Sequence, residues 1–173
     1  MDIPGWPKPV MITDAALNIA PEVKQKISIT KNAIALARAI GIQNPKAALM
    51  SAVESPNPGI PSSIEAAEVA KQQFDGGLVD GPFALDNAVS VRAAKLKGIN
   101  SPVAGDADIL VMPTIEAGNI LFKALVYMAG AETGGLVVGA AAPVILTSRA
   151  DSSDARIASC AMAVLYARLL AEG

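Results

Sequence analysis

Short aliphatic runs at residues 10–13, 47–51, 78–80, 109–112 and 144–147 constrain this chain more than any other feature. Each is only a few residues long, the pattern of a strand buried on both sides in a parallel sheet. Between and after them the apolar residues fall at helical spacing. Val23, Ile27, Ile34, Ala37 and Ile40 form one such face, Val89, Ala93 and Leu96 another, and Leu121, Leu125 and Met128 a third. Pro21 and Glu22 open the first helix and Gly41 closes it, whereas Ser62 and Glu65 make a capping-box pattern for a helix to about Phe74. Asp86 is placed to cap a single helix closed by Gly98. Parallel strands need crossover connections and helices supply them, which predicts an α/β fold: a mostly parallel sheet with helices on both faces. Residues 136–138 read as one more strand. With 144–147 it makes either a hairpin or the point where the chain changes lobes.

Composition narrows the function. The 173 residues suit one domain or one lobe of a larger enzyme. Hydrophobic residues are 52% but aromatic ones only 3%, so the expected core is Ala, Val, Ile and Leu. A net charge of −2 and no basic stripe argue against nucleic-acid binding. The longest apolar stretch, 134–146, is too short and too broken by Gly139 and Pro143 to cross a bilayer. The opening residues Met-Asp-Ile-Pro-Gly-Trp have neither a basic start nor an apolar core, so the expected location is cytoplasmic. With no histidine, a Ser-His-Asp triad and a histidine zinc site are excluded. Cys160 is the only cysteine and sits among small apolar residues, a core position.

Polar groups recur just past the runs: Asp14, Glu54, Asp86, Asn119, and Ser148 with Arg149. In a parallel sheet these line the carboxyl rim, where α/β folds bind ligands. The richest stretch is Pro143-Val-Ile-Leu-Thr-Ser148-Arg149-Ala-Asp151-Ser-Ser-Asp154, a buried strand turning into a helix. Arg149 there suggests a phosphate or carboxylate, while Asp151, Ser152, Ser153 and Asp154 also suit an ordinary helix cap. Gly134-Gly135-Leu-Val-Val-Gly139 is no nucleotide fingerprint, and its glycines read as permitting turns and close packing. Asp106 and Asp108 read as loop acids, not a metal pair.

Several motifs in order along the chain resemble the phosphate acetyl/butyryl transferase family. They are Met-Ile-Thr-Asp14, Asp80-Gly-Pro-Phe-Ala-Leu-Asp86-Asn-Ala, Gly105-Asp-Ala-Asp-Ile-Leu, Glu116-Ala-Gly-Asn119-Ile-Leu-Phe-Lys123 and Pro143-Val-Ile-Leu-Thr-Ser-Arg149-Ala-Asp-Ser. The likeness is to the butyryl-type branch and to the domain fused to enoyl-CoA hydratases. It implies a two-lobed fold similar to isocitrate and isopropylmalate dehydrogenases. Residues 1–142 correspond to the second lobe, and 143–173 to the strand and helix returning to a first lobe outside this chain. The implied reaction is acyl-CoA plus phosphate to acyl phosphate plus CoA, with coenzyme A as a substrate, no cofactor and no metal. Arg149 then grips phosphate, Ser148 donates to the oxyanion, and Asn119 and Lys123 stand near the same cleft as ligand contacts or as helix start and solvated charge. Asp154 is the candidate base with Asp151 as its substitute, because the acetyl branch carries its base one residue on, where this chain has Ala155.

The rival reading is a non-catalytic lobe or an oligomerisation module of such an enzyme. A metal-dependent dehydrogenase on the similar fold lacks both a carboxylate cluster and a dinucleotide fingerprint here. Ile157, Ala161, Val164, Leu165 and Leu169 make an apolar stripe on the last helix, expected to pack against another chain. A homodimer or larger assembly is expected with it.

Overall fold

The computed structural model describes residues 1–146 and 152–172. β1 (Met11–Thr13), β2 (Lys46–Met50), β3 (Leu78–Phe83) and β4 (Ile109–Val111) form one parallel sheet in the order β1-β4-β2-β3. α1 (Val23–Ala39) connects β1 to β2 and α2 (Pro61–Ala70) connects β2 to β3. α3 (Leu85–Val89) and α4 (Val91–Leu96) lead to β4, and α5 (Ile115–Ala129) follows it.

Pleat alternation divides the core. Ala47, Leu49, Ile109 and Val111 pack with Ala33, Ile34 and Ala37 of α1 and with Ala66 and Val69 of α2. Ala48, Met50 and Leu110 point the other way, to Val10, Phe83, Ala88 and Val103, with Ala117 and Leu121 of α5 at the margin. Helices therefore cover both faces, and the core is aliphatic apart from Phe83 and Tyr166. Small side chains suit this arrangement, because Ala33, Ala37, Ala47 and Ala48 let helix and sheet approach closely.

The caps and the shorter elements differ from expectation. The helix expected over 86–98 is two, broken at Ser90, whose extended backbone starts α4 and whose hydroxyl accepts from the Ala93 amide at 3.3 Å. Asp86 is not the cap of α3; Ala84 holds that position. The Ser62–Glu65 box does not form either. α2 begins at Pro61, and Glu65 instead makes an ion pair with the buried Lys26 of α1. The capping box belongs to α1, between Glu22 and Gln25.

β5 (Leu136–Val137) and β6 (Val144–Ile145) pair antiparallel, so this region is a hairpin. Val144 and Ile145 are 52% and 43% exposed, contrary to the buried parallel strand expected there. An aliphatic run looks the same in either setting, and β6 joins β5 instead of the sandwiched sheet.

α6 (Ser153–Glu172) packs on α1 and the hairpin of its own chain. It does so through Ala155, Ser159, Ala163 and Tyr166, all buried. Ile157, Val164 and Leu165, of the stripe expected to meet another chain, stay exposed, and it is another side of the helix that packs within the chain. The helix is apolar nearly all round, so periodicity does not choose a side. Its small residues do, since they let α6 lie close to the hairpin. A Cβ on Gly134 would stand 2.5 Å from Met162 Cε, and one on Gly135 2.8 Å from the Leu146 carbonyl oxygen. The close-packing role read for these glycines is the observed one.

Candidate functional site

β1 leads to α1 on one face of the sheet, and its neighbour β4 leads to α5 on the other. The carboxyl ends of two neighbouring strands whose helices go to opposite faces are the usual ligand position in such sheets. Asp14 organises the first loop. Its carboxylate accepts from the amides of Ala16, Leu17 and Asn18 at 2.8, 3.0 and 2.9 Å, and from Asn18 Nδ2 at 2.6 Å. Partial burial alone would raise its pKa, but these four donors outweigh it and hold the carboxyl below its ordinary value.

A depressed carboxylate pKa stabilises the fold above the unfolded value, and that contribution is lost as pH falls through the folded value. For Asp14 the loss lies below pH 3.8. Acid titration followed by nuclear magnetic resonance is expected to show the Asp14 carboxyl protonating below the ordinary aspartate range. In Asn18→Ala, which removes one donor, its midpoint should move upward. An unchanged midpoint would remove the Asn18 amide as a cause.

The second loop meets the first through α5. A Cβ on Gly118 would stand 2.5 Å from the Asp14 carbonyl oxygen, so only glycine admits this contact. One residue on, Asn119 Nδ2 donates to the Ala15 carbonyl at 3.3 Å. Asn119 thus ties the β1 and β4 loops together, and Lys123 is exposed one turn further along α5. Gly118→Ala should force the loops apart and lower stability by about 1–3 kcal/mol, as overpacking commonly does. Denaturant unfolding checks this, and a change within ±0.5 kcal/mol would show that the contact yields freely.

Further along the same rim, Glu54 Oε1 accepts from Asn87 Nδ2 at 2.5 Å and from Lys97 at 2.6 Å. Lys97 also pairs with Asp86 at 3.2 Å. Asn87 is fully buried, and its Oδ1 has no partner. This node ties the β2 loop to the β3 loop. Asp106 and Asp108 lie at the opposite, amino end of β4. Lys8 bridges both at 2.7 Å, Lys46 holds Asp106 at 2.6 Å, and the Lys46 amide donates to Asp108 at 2.8 Å. They are loop acids closed by lysines, as their sequence setting suggests.

Ser148, Arg149 and Asp151 lie outside the described residues. Asp154 lies inside them, exposed in the first turn of α6. Ser152 Oγ caps the helix by accepting from the Ala155 amide at 3.1 Å. Ala155, where the resemblance puts the acetyl branch's base, is buried, about 100° round the helix from Asp154. Ser159 anchors this end, accepting from the Gly135 amide at 3.0 Å and donating to the Ala155 carbonyl at 2.7 Å. Among the described residues no hydrogen bond or ion pair joins Asn119, Lys123 and Asp154. Sequence reasoning named Asp14 but missed Asn18, although an Asp followed four residues later by an Asn after a strand is a signal for a side-chain-locked turn.

A profile of the phosphate acetyl/butaryl transferase family matches residues 4–164. The chain is 53% identical over 171 residues to a phosphate acetyltransferase of Rhizobium meliloti, covering 96% of this chain and 54% of that protein. It is 47% identical to a phosphate butyryltransferase of Clostridium beijerinckii, covering 96% and 56% respectively. In structure it resembles a branched-chain phosphotransacylase from Enterococcus faecalis V583, with a TM-score of 0.86 and 42% identity. That likeness covers 96% of this chain and 60% of the other. The chain thus spans about half the length of the curated relatives it matches.

Proposed function

The chain belongs to the phosphate acetyl/butyryl transferase family, and we propose that it forms part of a cytoplasmic enzyme exchanging a short acyl group between coenzyme A and phosphate. The observation that carries this reading is the family match over residues 4–164, which takes in the segment holding Ser148, Arg149 and Asp154. A phosphate oxygen attacks the thioester carbonyl, the C–S bond breaks, and CoA leaves as thiolate to take up a proton. In reverse, a carboxylate removes the thiol proton and sulfur attacks the acyl phosphate carbonyl. Arg149 offers the planar fork that suits phosphate, and Ser148 a short donor for the tetrahedral oxyanion. No cofactor enters these steps.

The acid–base role rests between Asp154 and Asp151. Asp154 is exposed in the first turn of α6, which leaves its carboxylate open to a substrate. In the full-length protein, CoA-dependent release of phosphate from acetyl or butyryl phosphate is the test. Asp154→Asn is expected to lower kcat with little change in KM. Wild-type turnover in that variant, with loss in Asp151→Asn, would move the role to Asp151. No turnover in the full-length wild-type protein would favour a non-catalytic lobe.

The same reading includes a homodimer or larger assembly. Exposed apolar residues support it: Ile120, Tyr127 and Met128 on α5, and Ile157 and Val164 on α6. Sedimentation at micromolar concentration showing only monomer would overturn it.

A further inference from the structure

An acyl phosphate is a mixed anhydride, and a free amine that meets one takes its acyl group. We propose that Lys24 is a modification site, acylated by the short acyl phosphate that the enzyme makes, an inference that rests on the acyl-transfer reading above. The ε-nitrogen attacks the carbonyl carbon, and the bond from that carbon to the phosphate oxygen breaks. Phosphate leaves with the electron pair and the nitrogen gives up a proton to water. The products are an amide and inorganic phosphate, and nothing is oxidised or reduced.

Ion pairs divide the lysines. Only the unprotonated amine attacks, so a lysine held by a carboxylate is shielded. Lys8 and Lys46 are tied to Asp106, Lys26 to Glu65, and Lys97 to Glu54 and Asp86. Burial alone would lower the Lys8 pKa, but Asp106 and Asp108 raise it, and Glu54 raises that of Lys97. Among the described residues Lys24, Lys31, Lys71, Lys95 and Lys123 make no ion pair, and all five are exposed. Lys95 lines a hollow of about 530 Å³, but its companions there are Val91, Leu96 and the like-charged Arg92.

Lys24 differs in its surroundings. On the outer side of α1 it lines a polar groove of about 330 Å³ with Asn18, Gln25, Ser28, Ile29 and Asn32. No carboxylate lines the groove, and Lys24 is its one cation. The volume lies at the small end of ligand pockets, which suits a small acyl phosphate. Hydrogen bonds already made set what the walls can offer. Asn18 spends its amide nitrogen on Asp14, which leaves its oxygen to accept from the attacking amine. Gln25 spends its oxygen on the Glu22 amide, which leaves its nitrogen to donate to phosphate. Ile29 supplies an aliphatic side chain for the acyl group. Acylation removes the charge, so the groove loses its attraction for the next anion and the reaction stops at one acyl group.

The test incubates the full-length protein with acetyl phosphate alone and follows amide formation at each lysine by peptide mass spectrometry. Lys24 is expected to be acetylated about tenfold faster than Lys31, Lys71, Lys95 and Lys123, because a held reagent outpaces collision. Its rate should saturate with acetyl phosphate and fall when inorganic phosphate is added, and the other four should do neither. Ser28→Leu, which fills the groove, should slow Lys24 to the pace of the others. Lys24→Arg should remove the fast site and leave CoA-dependent phosphate release unchanged. Equal rates at the five lysines, a Lys24 rate indifferent to phosphate, or an unchanged rate in Ser28→Leu would overturn the site. CoA-dependent phosphate release is assayed beside it, and its presence would then leave the acyl-transfer reading standing. Fast, phosphate-sensitive acetylation of Lys24 without that release would keep the site and refute the acyl-transfer reading. Absence of both would refute both.

Discussion

Arg149→Ala in the full-length protein is expected to lower turnover of acyl phosphate by ~10²–10³-fold, the usual consequence of removing one donor aimed at transition-state charge. Acyl transfer to and from phosphate builds negative charge on the carbonyl oxygen and carries it on the phosphate throughout. A guanidinium meets two phosphate oxygens with two parallel N–H groups and never loses its proton. Within the Pro143–Asp154 segment Arg149 is the only cation. Arg149→Lys keeps the charge and loses the fork, so it should recover only part of the rate. Steady-state kinetics with both variants check this. Turnover within twofold of wild type in Arg149→Ala would take the residue out of the chemistry.

Ile109→Ala should lower stability by about 2–5 kcal/mol, because the cavity left in a rigid interior adds to the lost transfer energy. Ile109 is fully buried in β4, the strand flanked by β1 and β2, and it pairs with both Met11 and Ala47. Alanines already occupy positions 33, 37 and 47 around it. Few neighbours therefore have the reach to fill the space. In urea the midpoint should fall by about 1–2 M at the slopes usual for small domains. The contrast is Ile157→Ala on α6, where the side chain is 67% exposed. That substitution should change stability by less than about 0.5 kcal/mol in the monomer. A large loss there would put the Ile157 stripe, and not Ala155 and Ser159, on the packing face.

The rim was legible for a simple reason. Strands buried on both sides must be aliphatic, and the first residues past them must leave the core, so Asp14, Glu54, Asp86 and Asn119 announced one edge of the sheet before any coordinates. What each does there was not legible, because it depends on partners distant in sequence. Asn119 reaches Ala15, Asn87 and Lys97 reach Glu54, and Asp106 is closed by Lys8 and Lys46. The capping box expected for α2 failed in the same way. Glu65 could answer a local cap or the distant Lys26, and burial of that lysine decided for the pair.

Local pattern was enough for the class of fold, the aliphatic core and the family, since periodicity, composition and linked motifs are all properties of neighbouring residues. Strand order, the split of the helix at Ser90, the hairpin at 136–145 and the face on which α6 lies came only from the folded chain. Each turns on which of several apolar surfaces gains most by meeting another. For α6 the small side chains of Ala155, Ser159 and Ala163 against α1 and the hairpin prevailed over the larger ones of Ile157 and Val164. Close approach of backbones yields many weak contacts at once, a sum over pairs that no single stretch of sequence contains.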